Sequence, residues 1–335
     1  MISAKVIKDS TNEFQNRITT MVVTMPRFIL AEFNTHRVFS RNSASSRAIP
    51  FEKMVEAVET NSFTPIAFQK NHKGMQGTEY FTDIVDTVQM KSQWRMACNE
   101  AIEAATILFN KGVTKQLCNR LLEPFMWHTV IVTATEWENF FALRCPAYFL
   151  PSTQKSYRSK RDWIRANGGW QTEDNHDFFR SINKGQAEIH MMALAEAMWD
   201  AYNESTPEML HHGQWHIPFI DKVIGNDVTN YLLEKITDRH ITNRDIEEVL
   251  IKVATARCAQ VSYTVIGEDD KPMNVEKLIA LHDRLAKSGH WSPFEHCAQA
   301  IDYGHHSRTK ESVWSGNFKG FLQYRKTFEG ENKDE

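Results

Sequence analysis

Residues 17–33 read RITTMVVTMPRFILAEF and run directly into NTHRVFSRNSASSR at 34–47. The first stretch is rich in β-branched and apolar side chains, which predicts an extended strand, bent at Pro26 where the ring fixes φ and removes a donor. The polar run 34–47 must then leave the sheet. Within it Arg37, Arg41 and Arg47 stand among Ser40, Asn42, Ser43, Ser45 and Ser46, residues that compete with a helix backbone for its own hydrogen bonds. In a helix Arg37 and Arg41 would repel at i,i+4. Guanidinium forks beside hydroxyls and backbone N–H groups suit an anion held between them. A solvated Ser-rich loop is the other reading of the same composition.

Downstream, 94–111 carries Met96, Ile102, Ala105, Leu108 and Phe109 at helical spacing, with Gly112 as the stop. A short helix over 114–122, a strand over 125–133 and a helix over 136–144 that ends before Pro146 follow. Further helices are predicted at 185–202, 244–256 and 274–287. Residues 146–184 differ in character. Tyr148, Tyr157, Trp163 and Trp170 alternate there with Lys155, Arg158, Lys160, Arg161 and Arg165, which suggests an insertion acting as a lid, a subunit contact or a modest nucleic-acid surface.

The whole chain has 335 residues, of which 41% are hydrophobic and 24% charged, enough for a sizeable core in one or two domains. Its 39 Lys and Arg balance 42 Asp and Glu, so nothing global draws it to nucleic acid or an anionic membrane. No apolar run approaches the ~20 residues of a bilayer span, and 1–10 lacks a signal-peptide core, so a cytoplasmic protein is expected. The five cysteines form no CxxC pair and read as reduced core filler.

Three further clusters stand out. His290, Ser292, Glu295 and His296 lie in HWSPFEH, but their spacing matches neither HExxH nor a finger, and His211, His212 and His216 lack a local carboxylate or thiolate, so no metal site is expected. Arg120 and Arg144 each end a predicted helix beside apolar residues, where capping or snorkelling is the ordinary role.

Taken together the clusters resemble the flavin-dependent thymidylate synthases, whose signature is Arg-His-Arg, seven residues, then Ser. Here Thr35-His36-Arg37 is followed by seven residues and Ser45, which keeps all but the first arginine. LCNRLLEP, ENFFALR and GQAEIHMMALA are similar to three more family segments in the right order. AQVSY and HWSPFEH, which open the family's chains, lie near this C-terminus. That order looks like a circular permutation. The resemblance implies an α+β fold, a permuted single catalytic domain over 1–335 with a central, mainly antiparallel sheet flanked by helices, and insertions near 52–92, 146–184 and 205–243.

By the same resemblance His36, Arg37, Asn139, Ser262, His290, Ser292, Glu295 and Arg325 would bind FAD. Ser45, Ser46, Arg47, Arg120 and Gln323 would hold the nucleotide, and Arg144 would be the catalytic group facing the uracil ring. Arg325 stands as a spatial substitute for the arginine missing at Thr35. Ser43, Ser46 and Ala48 replace the family's Glu, Gly and Tyr. The implied reaction moves a one-carbon unit from methylenetetrahydrofolate to C5 of dUMP and reduces it to methyl, with FAD, NADPH and a homotetramer. Alternatives are a related enzyme making another 5-substituted pyrimidine, such as a 5-hydroxymethyl product, and a non-catalytic nucleic-acid-binding protein.

Overall fold

The computed structural model describes residues 1–73, 77, 79–262, 274–301, 314–329 and 331. β1 (Ser3–Asn12) and β2 (Arg17–Pro26) form an antiparallel hairpin. Asn12 closes its turn, with Oδ1 accepting the amides of Phe14 at 3.1 Å and Asn16 at 2.9 Å. β2 does not continue to residue 33 as predicted. The chain instead makes a 3-10 turn at Arg27–Ile29 and a single helical turn, α1 (Leu30–Phe33), because Pro26 ends the ladder and Leu30 and Phe33 bury themselves in the core.

The polar run also departs from expectation. β3 (Ser40–Ser43) returns to the sheet and pairs antiparallel with β4 (Trp127–Ala134), which satisfies its backbone while leaving polar side chains at an edge. Between β3 and β4 lie α2 (Phe51–Asn61), α3 (Ile84–Asn110) and α4 (Lys115–Leu121), packed around Met54, Val58, Cys98, Cys118 and Leu122. α3 starts at Ile84 rather than 94, since Asp83 accepts the amides of Val85 and Asp86 and caps it there.

α5 (Glu138–Arg144) precedes the segment read as an insertion, which folds as β5 (Tyr148–Leu150), β6 (Lys155–Tyr157), α6 (Lys160–Ala166) and α7 (His176–Ile182) around Trp163 and Phe179. α8 (Ile189–Glu204) then covers one face of the main sheet, and β7 (Glu208–Leu210) adds a parallel strand beside β1. The main sheet therefore runs β3-β4-β2-β1-β7 and is mostly antiparallel in an α+β fold.

β8 (Trp215–His216) leads to α9 (Lys222–Lys235), α10 (Asn243–Gln260) and α11 (Val275–Lys287), a layer around Val228, Val253, Leu278 and Phe294. β9 (Ala298–Ala300) pairs with β8 and with β12 (Phe321–Gln323), preceded by the small hairpin of β10 (Trp314–Ser315) and β11 (Phe318–Lys319). Gly320, at φ +73°, is required here, since a side chain would run into those of Asn12 and Asn16.

β2 is buried along most of its length because both faces are covered. Met21, Val23 and Met25 meet Met191, Leu194 and Met198 of α8, while Ile18 meets Ala298, Phe318 and Phe321. A polar chain threads the second interface: Ser10 Oγ to His216 Nδ1 at 2.9 Å, His216 Nε2 to Thr20 Oγ1, Thr20 to Thr133 Oγ1 and Thr133 to His296 Nδ1, each of these three at 2.8 Å. The permuted order predicts His296 beside Arg17. His296 does reach β2 through this chain, but Arg17 projects from the opposite face, where it binds Asp9 and the carbonyl of Tyr202. All five cysteines are buried and free.

Candidate active site

Asn42 of β3 is the junction of the first group. Its Nδ2 donates to the Cys258 carbonyl at 2.7 Å and Ser262 Oγ at 3.2 Å, and its Oδ1 accepts from Ser292 Oγ at 3.3 Å. The Ser45 amide donates to the Ser262 carbonyl at 3.1 Å. A 3-10 turn, Ser292–Glu295, presents Ser292 to solvent and aims Glu295 at Arg325, which also pairs with Glu331. Arg325 thus stands between Glu295 and Glu331. Gln323 is buried and donates to Ser40 Oγ at 2.8 Å. His290, two residues before Ser292, is exposed with Nδ1 against Ser288 Oγ at 2.9 Å, and the carbonyl of exposed Arg37 accepts a long 3.5 Å bond from Asn317.

The second group surrounds Arg144 at the end of α5. Its guanidinium pairs with Glu32 and donates from Nε to His36 Nε2 at 3.1 Å. Phe140 sets its edge against the His36 ring, centroids 4.9 Å apart, and Phe39 stacks on it at 5.8 Å. Burial, helped by the cations Arg144 and Arg41, pushes the His36 pKa down to about 4, so the ring is neutral near pH 7. Asn139 lies exposed one residue before Phe140. Arg144 lines an open cleft of about 1030 Å³ whose walls include Glu32, Thr35, Tyr157, Arg158 and Lys184.

The third group is the turn after β3. Ser46 Oγ donates to Glu123 at 2.8 Å, and Asn119 of α4 donates to the carbonyls of Ser46 at 2.7 Å and Ile49 at 3.1 Å. Lys115 Nζ donates to the Ala48 carbonyl at 3.0 Å. Arg47 and Arg120 adjoin Ser46 and Asn119 in sequence, and both are exposed. The turn is thereby fixed from below while two cations stay open to solvent.

The sequence-predicted residues therefore fall into three groups along 32–49. Asn42, Glu32 and Glu123 are the site residues that sequence reading missed. Their signals were faint: Asn42 sits in the quoted polar run, but its importance depends on partners 216 to 250 positions away.

Residues 8–159 match the family model described as thymidylate synthase complementing protein. The match runs through 52–92, which the sequence resemblance left uncovered, and stops before the C-terminal segments. No curated protein matches the chain. Among solved structures it is similar to a UMP/dUMP methylase PolB from Streptomyces cacaoi bound with 5-Br dUMP, at 12% identity and a TM-score of 0.42 over 62% of this chain and 92% of that one. A flavin-dependent thymidylate synthase ThyX from Helicobacter pylori, complexed with FAD and dUMP, is similar at 18% identity and a TM-score of 0.28, over 55% and 67% of the two chains. The likeness to the thymidylate synthase complementing proteins is thus carried by residues 8–159, a little under half of the chain.

Proposed function

We propose that the protein transfers a one-carbon unit from methylenetetrahydrofolate to C5 of dUMP and reduces it to methyl, using FAD and NADPH. The observation that carries this reading is the meeting of Ser262 and Ser292 at Asn42, with the Ser45 amide on the Ser262 carbonyl, which joins family-like segments from both ends of the chain. We read that meeting as the flavin site of a single permuted domain.

The donor set fits such a group. Ser292, His290 and Arg37 are exposed, neutral or cationic, and Glu295, the acid among them, is matched by Arg325. A dinucleotide diphosphate and its ribose need that chemistry. FAD, when bound, would supply the reducing equivalents. His36 belongs to this set by family resemblance, while its ring nitrogen supports Arg144.

The chain's own residues account for binding and polarisation. Arg47 and Arg120 hold the nucleotide phosphate, with Ser45 and Ser46 fixing the turn between them and Gln323 bracing β3 through Ser40. Uracil C5 is a weak nucleophile, so bond formation requires charge to build on the ring oxygen. Arg144 meets that charge electrostatically, and such a contact, stronger in the transition state, raises the chemical rate. Exposed apolar residues of α3, Val85, Val88, Met96 and Ile107, support assembly into a homo-oligomer.

A second reading is a 5-hydroxymethyl or other 5-substituted product. It is favoured by Thr35 and the open cleft at Arg144, where the family's motif arginine is replaced by a smaller side chain. Incubating the purified protein with dUMP, methylenetetrahydrofolate, NADPH and FAD and weighing the product separates the two. Unchanged nucleotide removes both.

A further inference from the structure

An arginine side chain has five N–H donors and no acceptor, so every partner of Arg144 must offer a lone pair. Residues 32–36 offer three. Glu32 accepts from Nη1, His36 Nε2 from Nε at 3.1 Å and Thr35 Oγ1 from Nη2 at a long 3.5 Å. Thr35 is itself held, donating to the Glu32 carbonyl at 2.7 Å. The guanidinium is thus held at each of its three nitrogens by a single short stretch of chain, while its side chain keeps 21% of its surface exposed at the cleft.

We propose that Glu32 and His36 are positioning residues for Arg144, orienting its two remaining Nη N–H groups toward a planar ligand edge that carries two acceptors in the cleft. The proposal rests on the assignment of Arg144 made under Proposed function. It gives His36 a defined protonation state. Because Nε2 accepts, the proton must sit on Nδ1, and an imidazolium would break the contact and face a guanidinium.

The surroundings enforce that state. Arg144 from α5 and Arg41 from β3 both bear on the ring, and Arg41 Nη1 also donates to the His36 carbonyl at 3.1 Å. Glu32 of α1 is committed to Arg144, and Glu295 lies beyond Arg41. Phe39 and Phe140 cover the rest of the ring. Of the charged groups named, the two bearing directly on the ring are cations, and the neutral ring persists down to about pH 4.

The test is 15N NMR of the full chain, together with steady-state kinetics. The expected result at pH 6 is a neutral Nδ1–H tautomer of His36 and an exchange-protected Arg144 Nε–H, both changing together as pH falls through about 4. H36F keeps a buried ring but removes the acceptor. It should abolish the protection and lower kcat roughly ten- to a hundredfold, with KM changed much less. H36Q restores a non-titrating acceptor and should recover most of kcat. An Nε2–H tautomer, a charged His36 at pH 6, or full turnover in H36F while R144A is inactive would overturn the proposal. Unchanged turnover in R144A, with the NMR contacts intact, would instead remove the role assigned to Arg144.

Discussion

Ser292 Oγ donates to Asn42 Oδ1 at 3.3 Å although 250 positions separate the two residues. The same Asn42 also binds Ser262 and the Cys258 carbonyl, so one side chain ties three distant segments into a single surface. Replacing Asn42 with Ala should release that surface and weaken FAD binding about tenfold or more, by the loss of several hydrogen bonds. Flavin-fluorescence titration of N42A measures this, and an unchanged affinity would move the flavin elsewhere.

Arg47 and Arg120 are exposed above a turn that Glu123 and Asn119 fix from below. Each should contribute a charge-assisted hydrogen bond to a phosphate, so R47A or R120A should weaken dUMP binding roughly ten- to a hundredfold while FAD stays bound. Calorimetric titration checks both ligands on one sample. Equal loss of flavin and nucleotide would contradict the separation of the two sites.

Thr133 lies between Thr20 and His296 in the buried chain that joins the main sheet to the C-terminal strands. Valine has the same shape but leaves His296 Nδ1 without its partner, at a cost of about 1–3 kcal/mol, while Thr20 keeps its bond to His216. T133V should therefore lower the urea midpoint clearly. Threonine to serine, which keeps the hydroxyl, should cost much less. Equal midpoints for T133V and wild type would mean the chain contributes nothing.

Acid should destabilise the protein well above the usual carboxylate range. Burial lowers the pKa of His36 to about 4 and of His128 and His296 to about 3, against ~6.5 in an unfolded chain. Between those values the unfolded state binds more protons, so stability falls as pH drops below about 6.5. Asp200 opposes this: burial raises it to about 6, and its contribution grows as pH falls through that value. Burial lowers His216 and His282 as well and, among the described residues, raises only the carboxyl of Glu247 besides Asp200, so five histidines against two carboxyls leave a net loss. Urea midpoints at pH 7 and 4.5 measure it, and H128Q should show the shallower dependence.

What the sequence made legible was local. Helices ending at Asn110, Arg144 and Lys287 carry apolar spacing and stop signals of their own, and their observed ends lie close to the predicted ones. β3 was missed because SRNS has no apolar alternation, and its pairing is dictated by β4, which lies 84 positions on (127 − 43). α3 was shortened because its first turns hold Ile84, Val85 and Val88 in solvent, where no buried stripe marks them. For the site, the polar run 34–47 stands out by residue type and Arg144 only through the family resemblance, and the partners that hold them are not legible in sequence. Glu32, Asn42 and Glu123 acquire their roles only once β2, β4 and α5 bring the segments together.

The central claim is carbon transfer to C5 of a pyrimidine nucleotide. Its most direct measurement is the mass and tritium content of nucleotide recovered after incubating the purified protein with [5-3H]dUMP, methylenetetrahydrofolate, NADPH and FAD. The account predicts release of tritium to water and a product heavier by one CH2 group, both lost in R144A. A protein that takes up FAD and dUMP yet releases no tritium and returns dUMP unchanged would contradict it.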